Sequence, residues 1–148
     1  MKDALLDTII DEYATVEAFA SLLAVEQKAL TTAYPGEILK PIVEQKSSMA
    51  DKLAMLERTR EGHLRERGLP AGKRGMDLAA AKDARLNEQW SLLQKSAERA
   101  RRLNFNNGLM IRTRMDYNRR ILAVLRGTPE KASSFYGPDG KVPMYSGL

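Results

Sequence analysis

The chain has 148 residues and a net charge of +5, is 43% hydrophobic and only 6% aromatic, and contains no cysteine. Disulfides, thiol chemistry and cysteine metal sites are thereby excluded, and the length suits one domain that needs no covalent staples. Leu, Ala, Glu, Lys and Arg dominate, which favours helix over strand; no apolar run could span a bilayer, and Asp3 and Asp7 interrupt what a signal peptide would keep apolar, so a cytoplasmic protein is expected.

The first predicted helix covers about 2–32. Ile9, Val16, Leu23 and Leu30 recur every seven residues with Leu5, Phe19 and Ala20 between them. Asp7, Asp11, Glu12, Glu17 and Glu26 read mainly onto other faces, so the pattern is amphipathic. Tyr34-Pro35-Gly36 breaks it. A second helix is expected over about 38–67, with Pro41 in its first turn and Ile42, Met49, Leu53, Leu56 and Leu64 as its seam. It stops at Gly68-Leu69-Pro70, and residues 68–75 read as a basic, flexible loop.

The third helix is expected to be the longest, over about 77–126, although Asp77 to Ala81 could equally form a short helix of its own. Leu86, Trp90, Leu93, Ala97, Ala100, Ile111, Met115, Leu122 and Leu125 keep one face apolar, and no proline interrupts them. Trp90 reads as a core anchor. The same register lands on Asn104, Asn107 and Asn118. Polar side chains in an apolar seam cost stability and fix register, and Gly108 would allow a close backbone approach beside them. Gly127-Thr128-Pro129 ends the rod. Residues 127–148 read as a flexible tail with one turn at Tyr136-Gly137-Pro138-Asp139-Gly140. The expected fold is all-α: three long antiparallel helices in a coiled-coil-like bundle over 1–126, followed by that tail.

His63 is the only histidine, and no nucleophile motif, phosphate loop or metal signature accompanies it. No catalytic residue, metal or cofactor is expected, and the chain does not read as an enzyme. Arg99, Arg101, Arg102, Arg112, Arg114, Arg119 and Arg120 scatter around the third helix at about 100° per residue. A salt-bridged surface accounts for them better than nucleic-acid binding, which would gather them on one face. Late in that helix Met110, Tyr117, Ile121 and Val124 form a second apolar stripe, roughly 100° from the first. Either it packs on the remaining helix, or part of it stays open for a partner's amphipathic helix.

Three motifs carry a resemblance. Glu44-Gln45-Lys46-Ser47-Ser48 with Leu53 and Leu56, then Leu103-Asn104-Phe105-Asn106-Asn107-Gly108-Leu109, then Phe135-Tyr136-Gly137-Pro138-Asp139-Gly140-Lys141 occur in an order that resembles the flagellar export chaperone family FlgN. The departures are the glycine-rich 68–75 segment and the basic charge. The resemblance implies a cytoplasmic, non-catalytic chaperone of the hook–filament junction proteins FlgK and FlgL that docks on the export gate protein FlhA. Leu109, Met110, Tyr117, Ile121 and Val124 would then hold the client and Tyr136 would contact the gate, with neither nucleic acid nor membrane insertion involved. The alternatives are a basic helical nucleic-acid-associated protein and a structural coiled-coil oligomer; a homodimer also stays open.

Overall fold

The structure, a computed structural model, describes residues 3–32 and 36–126. The predicted tail, with Phe135 and Tyr136, lies outside the described residues. Four helices follow one another: α1 (Ala4–Leu30), α2 (Gly36–Glu66), α3 (Gly72–Ala81) and α4 (Ala84–Arg126). No strand occurs among the described residues. The expectation of three helices therefore needs one correction, because residues 72–81 are a separate helix and the basic loop is shorter than 68–75.

Local chemistry explains the extra helix. At the end of α2, Leu69 N–H bonds the Leu64 carbonyl at 2.9 Å and Gly68 N–H bonds Arg65 at 3.0 Å, with Gly68 at φ 70°. This paired closure needs a left-handed residue, which glycine supplies without strain. The Glu61 carboxylate of α2 then accepts from Gly72 N–H at 3.0 and 3.2 Å, neutralising an orphan donor at the start of α3. Gly75 packs so closely on the preceding chain that a Cβ there would lie 1.7 Å from the Pro70 carbonyl oxygen. Asp83 opens α4 by accepting from Arg85 N–H at 3.0 Å and Leu86 N–H at 3.2 Å.

Cross-helix bonds give the directions. Glu12 meets Arg60 and Glu26 meets Lys46, so α2 runs antiparallel to α1. Glu17 meets Arg99, Leu23 meets Asn107 and Leu30 meets Arg114, so α4 runs parallel to α1. α1 is the helix on which both others pack, whereas no Cα of α2 comes within 8 Å of one in α4. One large core joins Leu5, Ile9, Val16, Phe19 and Leu23 to Leu53, Leu64, Met76, Leu86, Trp90 and Leu93. A second, at the other end, joins Leu22, Ala29 and Leu30 to Leu39, Ile42 and Ile111.

Two buried ionic rungs span the gap between α2 and α4. Arg60 Nη1 lies 2.7 Å from Glu12 Oε2, and its guanidinium sits 5.6 Å from the Trp90 ring centroid. Lys46 Nζ lies 3.1 Å from both Glu26 oxygens and 3.3 Å from Asn104 Oδ1. Glu12, Glu26, Lys46 and Arg60 are all buried. Burial pushes the Glu12 carboxyl up from 4.5 to about 7 against the pull of Arg60, and burial lowers the Lys46 ammonium against the pull of Glu26.

The rungs oblige one register. Facing positions read Glu12, Phe19, Glu26 on α1 and Lys46, Leu53, Arg60 on α2. A slip of one heptad either way would set Glu26 against Leu39 or Leu53 and Phe19 against Lys46 or Arg60. Burying charges so mispaired costs several kcal/mol each, on the order of the whole stability of a small domain.

Candidate functional site

The three long helices differ in length, and most of the excess of α4 over α1 lies at one end. α1 has 27 residues, α2 has 31 and α4 has 43, or roughly 40, 46 and 65 Å of helix. Arg114 marks where α1 stops: its guanidinium donates to the Leu30 and Thr32 carbonyls, each at 2.7 Å. A cation there satisfies the orphan carbonyls and complements the helix dipole. From Met115 to Arg126, about 18 Å of α4 continues past the end of α1.

The overhang is apolar on one side. Tyr117 is 62% exposed, Val124 84% and Leu125 75%, with Ile121 exposed beside them. Met115 and Leu122 are half-buried, and Met110 and Met115 pack onto the smaller core. At about 100° per residue, Val124, Tyr117, Met110 and Ile121 fall within roughly 60° of one another, and Leu125, Leu122 and Met115 widen the apolar arc to roughly 180°. Of the candidate client-binding residues, the fold thus brings together Met110, Tyr117, Ile121 and Val124. Leu109 is exposed but lies roughly 80° around the helix from Tyr117, off the arc. Only Met110 packs in the manner of a bundle stripe; Tyr117, Ile121 and Val124 lie past the end of α1 and are exposed.

The polar seam residues divide. Asn107 is fully buried, and its Nδ2 donates to the Leu23 carbonyl at 2.8 Å and to Glu26 Oε1 at 2.9 Å. Asn104 is half-buried at the Lys46 rung, and Gly108 is buried beside Asn107. Asn118 is exposed and sits on the apolar arc, between Leu125 and Leu122 on the wheel. Trp90 is buried, and its Nε1 donates to Asp77 of α3 at 3.0 Å, which ties the short helix to α4. Sequence reasoning missed Glu12, Glu26, Lys46 and Arg60 as interior residues. Their signal was in the heptads, since fourteen residues separate the two acids and fourteen separate the two bases.

The arginines of α4 follow no single face. Arg99 pairs with Glu17, Arg101 and Arg102 with Glu98, and Arg119 with Asp116, at 3.6–3.7 Å on exposed ground. His63 is half-buried, 3.7 Å from Glu66 on the next turn. Among the described residues no group of three or more His, Asp or Glu could hold a metal, and no helix is long and apolar enough to cross a membrane.

The family model described as FlgN protein matches residues 1–143. A flagella synthesis protein FlgN of Yersinia enterocolitica is 31% identical over 137 residues, covering 91% of this chain and 87% of its own length. The flagella synthesis protein FlgN of Salmonella typhimurium is 26% identical over 143 residues, covering 94% and 91%. No solved structure gives a significant match.

Proposed function

The chain belongs to the FlgN family, and from that premise we propose that it is a cytoplasmic, non-catalytic export chaperone. Its clients are the C-terminal helical segments of the hook–filament junction proteins FlgK and FlgL, which it carries to the export gate protein FlhA. The observation that carries this reading is the apolar arc of Tyr117, Ile121, Val124 and Leu125 on helix that continues past the end of α1. A monomeric domain seldom leaves such a face uncovered unless another molecule covers it.

The arc suits an amphipathic helix laid alongside α4, read through residues spaced three and four apart. Met110 and Met115 at its base would repack around clients of different shape. Covering a client's apolar stripe blocks premature self-association, and the energy needed to order a disordered segment keeps the complex releasable. Tyr136, in the tail, is assigned by family resemblance to the gate contact, where an aromatic anchor gives weak and reversible docking. The test is a pull-down from flagellated cells with the full chain as bait. FlgK and FlgL should co-purify with the wild-type protein and be lost with Val124→Asp; capture of neither by the wild type refutes the reading.

A further inference from the structure

The rim of the arc says what kind of helix it takes. On the helical wheel Arg120 falls roughly 40° beyond Val124 on one edge, and Arg119 falls roughly 40° beyond Met115 on the other, with Arg112 next to it. All three arginines are exposed. The one acid of this stretch, Asp116, lies on the back of the helix, where it pairs with Arg119 at 3.7 Å. An apolar arc edged by cations on both sides is complementary to an apolar stripe edged by anions.

Resting on the chaperone reading above, we infer that the segment seated on the α4 overhang is an amphipathic helix whose stripe is flanked by glutamate and aspartate, and that Arg119 and Arg120 select it. A second copy of this chain is a poor occupant, because pairing two such arcs would bring arginine rims together, and like charges face to face are rejected. Nucleic acid fits less well, because here the arginines border an apolar centre and do not form one. Rim charges in water contribute modestly, so they act chiefly by choosing among apolar helices that the arc would otherwise treat alike.

The experiment uses the full chain and two synthetic helical peptides of about 20 residues, roughly 30 Å long. Both carry the same leucine stripe; one is flanked by glutamates and the other by lysines. Binding is followed by fluorescence anisotropy at about 50 and about 300 mM salt, which brackets strong and weak screening. The glutamate peptide should bind about tenfold more tightly at low salt, with the advantage shrinking at high salt. Arg119→Glu with Arg120→Glu should reverse the preference without unfolding the protein, while Val124→Asp should weaken both peptides. Equal binding of the two peptides, both lost in Val124→Asp, overturns the charge selection and leaves the docking surface standing. Binding indifferent to Val124→Asp, or no binding of either peptide, overturns both. Displacement of the glutamate peptide by a single-stranded oligonucleotide that still binds Val124→Asp reassigns the rim to nucleic acid and overturns the inference.

Discussion

Lys46→Met tests the ionic rung on which α1, α2 and α4 converge. The substitution keeps the length of the side chain and removes the ammonium that lies 3.1 Å from both Glu26 oxygens. Glu26 is fully buried and would lose the ammonium that lies against both its oxygens while keeping the Asn107 amide at 2.9 Å. Removing one partner of a buried pair typically costs about 3–5 kcal/mol, because the remaining charge is left in a low-dielectric interior. For a chain of this length that corresponds to a fall in Tm of roughly 10–15 °C. Thermal and urea unfolding followed by circular dichroism give both quantities. Replacing Glu26 and Asn107 by leucine in the same chain removes the stranded groups, and stability should return to within about 1 kcal/mol of wild type or rise above it. Asn104, which meets Lys46, and Asn107, which meets Glu26, are therefore not interchangeable. Asn107 serves a buried carboxylate, so its replacement by leucine alone should destabilise the protein, contrary to what a seam asparagine suggests. A Lys46→Met protein that melts within about 3 °C of wild type would refute the rung as a structural element.

Glu12 makes stability depend on pH. Its folded value near 7 exceeds 4.5, so between those values the native state holds a proton that the unfolded chain has released. Stability from this group is complete below 4.5 and lost as pH rises through 7, by about 3 kcal/mol at ~1.4 kcal/mol per unit. Glu12→Gln should remove that slope in urea titrations; an unchanged slope would place its origin elsewhere. Gly75→Ala forces a methyl into the Pro70 carbonyl and should cost about 2 kcal/mol or more, whereas Gly62→Ala, which meets nothing within 4 Å in mid-helix, should gain about 0.5–1 kcal/mol. Equal melting temperatures for the two would contradict the close approach of α3 to the end of α2. Tyr136→Ala should leave Tm and client affinity unchanged while abolishing association with the gate protein in a pull-down; a variant that still binds the gate, or that loses its client, separates the roles differently.

The long helices were legible because heptad spacing of Leu, Ile, Val and Ala is a local signal that survives without partners. The buried charges were not. Glu12 and Glu26 look like surface acids until Lys46 and Arg60 are set opposite them, and that pairing depends on how α1 and α2 fold together. Residues 68–75 misled for a related reason: glycines in sequence read as loop, while Gly72 and Gly75 are used for a capped start and a close backbone approach. The apolar stripe of late α4 was visible as periodicity. Whether it was covered turned on the relative lengths and offsets of three helices, which no single segment encodes.

The most direct measurement is a calorimetric titration of the purified C-terminal segment of FlgK into wild-type protein and into Val124→Asp. Val124 is 84% exposed, so the aspartate should change stability by no more than about 0.5 kcal/mol. Placed in the centre of a docked apolar stripe, the same carboxylate would be desolvated, and affinity should fall by about a hundredfold or more. Saturable binding by the wild type and none detectable by a normally melting Val124→Asp is the expected result. Equal binding by the two proteins would contradict the assignment of the α4 overhang as the client site.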